Sequence, residues 1–125
     1  MRLILYKFIS FFKRQQVELT HHWTEKYKNL PIFFCTAHPG WADTPAVRTS
    51  MPDFYSKCHK QFRTPQQGAD TIFWAVVSEK ARLGFPNGAF FEDRRAVSEH
   101  LPMAGTKSTE EERELFVNNL EKLVK

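Results

Sequence analysis

Cysteine is scarce in this 125-residue chain: only Cys35 and Cys58 occur. They do not form a disulfide framework by spacing, nor a zinc set with His21, His22, His38, His59 or His100. Those absences argue against a secreted disulfide scaffold and against a metal site, and they fit an intracellular, reducing compartment. No apolar run reaches the roughly 18 residues that a membrane span requires. The start, Met1 to Lys13, carries a basic residue and then apolar ones, but Lys7 interrupts it and no small-residue cleavage site follows. It is therefore read as neither a signal peptide nor a span. There is no internal repeat, no low-complexity tract and no Gly-x-Gly-x-x-Gly loop. Eighteen Lys and Arg against fourteen Asp and Glu give a formal charge of +4. The basic residues are spread out rather than gathered into a stripe, so no nucleic-acid partner is expected.

Aromatic side chains, by contrast, are plentiful. Twelve Phe and three Trp in one small domain must be buried, shown to a partner, or left to drive aggregation. From Phe8 to Tyr27 the apolar positions Phe8, Phe12, Leu19 and Trp23 recur at helical spacing, with Gln15, Gln16, Glu18 and Lys26 polar between them. That pattern predicts an amphipathic helix ended by Asn29 and Pro31. Residues 1–12 form its start or lie on a membrane surface, since Lys flanks their aromatic rings. The continuous run Ile32 to Ala37 reads as a parallel strand buried on both faces. Pro45 to Phe62, broken at Pro52, reads as short helical pieces forming a lid. Thr64, Pro65 and Gln67 make a helix start, and Ala69, Ile72, Phe73 and Val76 its apolar face, with Trp74 and Val77 implying burial against more than one layer. A turn at Phe85-Pro86-Asn87-Gly88 leads to a short strand, Ala89 to Phe91, that ends in Glu92-Asp93-Arg94-Arg95. Ser108 with Glu111 reads as the capping box of a C-terminal helix. The order is one and a bit βαβ units, an α/β class whose two strands are too few to close a parallel sheet.

Between the strand and the lid stand His38-Pro39-Gly40-Trp41-Ala42-Asp43-Thr44-Pro45. A sharp turn after a buried strand is where an open α/β sheet gathers loop amides and helix N-termini around a ligand. With Lys13-Arg14-Gln15-Gln16 before it, and Gln67-Gly68-Ala69-Asp70-Thr71 and Gly88-Ala89-Phe90-Phe91-Glu92-Asp93-Arg94-Arg95 after it, the chain resembles the C-terminal part of a short-chain dehydrogenase/reductase. The resemblance runs from Lys13 to the C-terminus and implies the C-terminal portion of a Rossmann-like, doubly wound fold, with residues 1–12 as a segment outside the family pattern. It further implies hydride transfer between NAD or NADP and a small carbonyl or alcohol substrate. Lys13 matches the family lysine that assists a tyrosine four residues earlier and holds the cofactor ribose. Pro39, Gly40 and Thr44 match the turn along the nicotinamide.

The family's tyrosine is absent, because Ile9 stands four residues before Lys13. Tyr6 is seven residues before it, about 10 Å along a helix, too far to share one reaction geometry. The expectation is therefore a truncated form that binds no cofactor and is inactive alone. The alternative is a non-enzymatic module that docks on a membrane surface or a protein through residues 1–12 and its open strand edges. Cys35, inside an apolar run, is expected to be an inert thiol.

Overall fold

A computed structural model of the chain describes residues 2–100 and 102–124, with side chains from residue 11 onward. The expectations that rest on Met1 and on the side chains of Tyr6, Phe8 and Ile9, including the membrane-surface reading of residues 1–12, lie outside the described residues. The elements are α1 (Arg2–Lys26), β1 (Thr36–His38), α2 (Pro45–Ser50), α3 (Pro52–Cys58), a 3-10 turn (His59–Gln61), α4 (Pro65–Val77), α5 (Glu79–Leu83), β2 (Phe90–Glu92), β3 (Arg95–Ala96) and α6 (Glu110–Val124). The chain is mixed α/β with one small sheet in the order β1-β2-β3. The third strand was not foreseen. It pairs antiparallel with β2, Phe91 opposite Ala96 and Glu92 opposite Arg95.

Two compact units divide the chain. The first holds α1, the segment up to Thr36, Asn87–Phe90, and the chain from Ser98 through α6; the second holds Ala37–Pro86 and Phe91–Val97. In the first unit α1 packs against α6. The face that α1 buries differs from the one its rings predict. Val17, Glu18 and Thr20 are buried, whereas Phe12 and Trp23 are 57% and 39% exposed. The reason is polar: Glu18 accepts hydrogen bonds from Arg14 and from Arg113 of α6, so this anchor takes the position facing α6. Trp23 instead lies against Phe34, with ring centroids 6.1 Å apart.

The strand predicted over Ile32 to Ala37 shrinks to Thr36–His38 and is partly exposed rather than buried on both faces. Ahead of it the Asn87 side chain stands where a strand neighbour would, accepting from the Phe34 N–H at 2.6 Å and donating to the Ile32 carbonyl at 3.2 Å. Bracketed by one side-chain amide, the run is only partly covered: Phe34 lies against Trp23 and Tyr27, while Ile32 stays 44% exposed. The Gly88 N–H then bonds the Phe34 carbonyl and the Thr36 N–H the Ala89 carbonyl. Partners that advance together along both segments mark a parallel pairing. At the C-terminus the capping box forms one residue later than predicted, between Thr109 and Glu112.

In the second unit Phe91 is fully buried. Trp74 and Phe85 meet it edge-to-face with centroids 5.3 and 5.2 Å away. The start of α4 is as predicted: Thr64 accepts from the Gln67 N–H, and the Gln67 side chain accepts from the Thr64 N–H. The apolar face of α4 is a correction. Gly68, Thr71 and Ala75 are the residues it buries, while Phe73 is 68% and Val76 74% exposed, beside Ile72 and Val77. Close approach decides this. A Cβ at Gly68 would stand 2.8 Å from the Ala42 Cβ and 3.6 Å from the Pro39 carbonyl oxygen. No side chain fits at Gly68, and of the large residues Trp74 turns to Phe91 while Ile72, Phe73, Val76 and Val77 face solvent.

Candidate functional site

The turn after β1 is built from both of its ends. Gly40 has φ +69°, which an L side chain rarely adopts, and its N–H donates to His38 Nδ1 at 3.2 Å. A Cβ at Gly40 would meet the Arg63 guanidinium carbon at 2.9 Å. Arg63 also grips the turn through its backbone. Its N–H donates to the Trp41 carbonyl at 2.8 Å, and its carbonyl accepts from the Asp43 N–H at 2.9 Å. Ala42 and Arg63 thereby form a parallel bridge. The guanidinium reaches on to Asp93, bonding both carboxylate oxygens at 2.5 and 2.8 Å. Those bonds from Arg63 hold the Asp93 carboxyl below its ordinary range.

Asp93 belongs to the two-residue turn between β2 and β3, where Asp93 and Arg94 have φ of 50° and 59°. Such a turn matches the twist of paired strands, but it favours glycine. Arg94 is held there twice, its N–H by the Thr71 hydroxyl at 3.3 Å and its guanidinium by Asp70. An open groove of about 480 Å³ is lined by Arg63, Gln66, Gln67, Asp70 and Asp93.

Thr44 caps α2, its hydroxyl oxygen accepting from the Val47 N–H at 3.4 Å, which leaves the hydroxyl proton free to donate. Its neighbour Asp43 accepts from Arg48 at 2.7 and 2.9 Å and from the Tyr55 hydroxyl at 3.3 Å. The Arg48 bonds lower the Asp43 carboxyl pKa. The lid takes the form predicted, two short helices parted at Pro52 and a 3-10 turn. Its own rings hold it: Trp41 lies 4.6 Å from Phe54 and 6.1 Å from Phe62 by centroids.

Of the residues singled out by sequence, Pro39, Gly40 and Thr44 meet in this turn of the second unit. Lys13 belongs to the first unit, exposed on α1. The helix continues back through position 9, where isoleucine stands. Burial raises the pKa of the Cys35 thiol, which keeps it protonated. Arg63 and Asp93 were missed by sequence reasoning. The available signal was a two-residue strand connection without glycine, which needs side chains to hold it. No helix among the described residues is long and apolar enough to cross a membrane.

Comparison with known proteins shows likeness over most of the chain. It is 45% identical over 111 residues to dehydrogenase/reductase SDR family member 12 of Homo sapiens, an alignment covering 89% of this chain and 34% of that protein. To the protein of the same name from Bos taurus it is 42% identical over 113 residues, covering 90% of this chain and 35% of the relative. The resemblance to the short-chain dehydrogenases/reductases thus holds over about nine-tenths of the chain, and the chain spans about a third of the length of these curated relatives. No family model matches the chain, and no solved structure does.

Proposed function

We propose, with kinship to the short-chain dehydrogenases/reductases as the premise, that these residues form the nicotinamide side and the substrate lid of a Rossmann-like oxidoreductase acting on a carbonyl or alcohol. The observation that carries this reading is the turn from Pro39 to Thr44, fixed by Arg63 and ending in a hydroxyl that still has a proton to give. Such a turn fits a nicotinamide: Pro39 and Gly40 would line the ring, and Thr44 would donate to its carboxamide. Lys13, by its family position, would hold the ribose. NAD or NADP, when bound, supplies or accepts the hydride. The chain's own part is to orient the ring and to close the lid over the substrate.

The same residues argue that this stretch is inactive by itself. Ile9, four positions ahead of Lys13, has no proton to transfer, and no glycine loop is present to cradle a pyrophosphate. The purified chain with NADH or NADPH and a panel of aldehydes and ketones is therefore expected to show no turnover above the blank. Adding the portion of the human relative that this chain does not match should restore it. Turnover by the chain alone would overturn the inactivity, and a reconstituted pair that neither binds nucleotide nor turns over would overturn the oxidoreductase reading.

The outward stripe of α4 favours a second reading, a docking surface for a protein partner, because contiguous exposed apolar faces of this kind mark interaction sites. Changing Phe73→Asp together with Val76→Asp should cut binding of a hydrophobic dye several-fold. Unchanged dye binding would remove this reading.

A further inference from the structure

We infer that Arg63, locked by Asp93, is the positioning residue of the nicotinamide-side turn: it sets that turn against the last residue of the lid and against the β2–β3 hairpin. The inference rests on the oxidoreductase reading above for its functional consequence, but its structural half stands on geometry alone. Four constraints converge on this one residue. Its N–H and carbonyl hold Trp41 and Asp43, its guanidinium fills the side of Gly40 where a Cβ would be, and the far edge of that guanidinium forks onto Asp93. Immediately after it, Thr64 caps α4. A displacement of Arg63 therefore moves the turn, the end of the lid and the first turn of α4 together.

The choice of arginine follows from the shape of the task. A planar fork can lie flat over Gly40 and still present two N–H groups to one carboxylate, whereas a lysine ammonium carries the charge without spanning both. Asp93 is equally placed by its surroundings. It stands in a left-handed turn that aspartate tolerates, and the next residue is tied to Asp70 and Thr71 of α4. The hairpin tip is thus anchored to α4 at one point and holds Arg63 at the other.

Solvent reaches both partners of the pair, so its charge alone contributes little; what it adds is a fixed place for the guanidinium over Gly40. The discriminating experiment measures Arg63→Lys, Asp93→Asn and the swapped pair Arg63→Asp with Asp93→Arg, each in the full chain. Amide exchange at Asp43 and Arg63 is expected to rise about tenfold in all three, because their hydrogen bonds open locally, with the urea midpoint nearly unchanged. In the reconstituted pair, NADH affinity should fall by about tenfold, a loss of the size that small misplacement of a binding group produces. The swapped pair restores the charges but leaves no guanidinium over Gly40, so it should not recover either quantity.

Unchanged exchange in Arg63→Lys, or full recovery in the swapped pair, would overturn the positioning role. A wild-type pair that takes no nucleotide would sink the oxidoreductase reading and the functional half of this one, while exchange in the variants still decides the positioning.

Discussion

Phe91→Ala is expected to destabilise the second unit by about 3–5 kcal/mol, the range for deleting a fully buried aromatic ring. Phe91 has no exposed surface, and the rings on it come from α4, through Trp74, and from the Phe85 turn. Edge-to-face pairs add about 0.5–1.5 kcal/mol beyond area burial, and two of them would be lost. The hole cannot easily collapse, because Arg94 holds the β2–β3 hairpin to Asp70 and Thr71 of α4 by separate bonds. Small domains have about 5–15 kcal/mol of stability in all, so the loss is a large share of it. Urea unfolding followed by tryptophan fluorescence measures this directly. Phe91→Leu, which keeps most of the volume, should lose less than half as much. A loss below about 1 kcal/mol for alanine would show that the ring is not close-packed.

The first unit depends comparably on one carboxylate. The Glu18 side chain is 6% exposed and takes hydrogen bonds from Arg14 and, at 2.8 Å, from Arg113. Burial by itself would raise its pKa, but the bonds from Arg113 and Ser108 and the charge of Arg14 outweigh burial and lower it. Arg14 leans on this partner, since its Nε and one Nη find no other hydrogen bond among the described residues. Glu18→Ala strands the Arg113 guanidinium and leaves Arg14 only its longer ion pair with Glu99, at 3.7 Å. Both remain 23% exposed, so the lower end of the range for breaking a buried pair applies, about 3 kcal/mol at neutral pH.

The pH dependence has a definite sign. A carboxyl whose folded pKa lies below its unfolded value, about 4.3 for glutamate, adds stability above that value and loses it as pH falls through the folded pKa. Wild-type and Glu18→Gln unfolding midpoints should therefore differ at pH 7 and converge as the pH is lowered below about 4. Parallel profiles down to acid would show that Glu18 is not the group that titrates.

Local chemistry was legible in the sequence wherever a few neighbouring residues decide the structure. Thr64, Pro65 and Gln67 supply a cap, a fixed φ and a reciprocal hydrogen bond within four residues, so α4 starts where they stand. Pro52 parts the lid helices for the same kind of reason. The Ser108 and Thr109 boxes were locally equivalent, each with a glutamate three residues on, and only the folded chain shows that Thr109 and Glu112 form it. Periodicity likewise found α1 and α4 but misjudged the faces they bury. Spacing reports which residues share a face, whereas the neighbour decides which face is covered. On α1 that neighbour brought an arginine to Glu18; on α4 it brought the Ala42 methyl so close to Gly68 that no side chain fits there, and Gly68, Thr71 and Ala75 are the residues buried.

Sequence alone determined the α/β class, the turn from His38 to Pro45, the short helices broken at Pro52, and the likeness to the short-chain dehydrogenases/reductases, because each is written in contiguous residues. Tertiary structure alone decided that Arg63 and Asp93 hold the turn, that Glu18 is buried, and that the ring-bearing stripe of α4 faces outward. These are pairings across thirty to ninety-five residues of chain, or exposures left by such pairings. Their free energy depends on which surfaces meet, a quantity that no local pattern of residues contains.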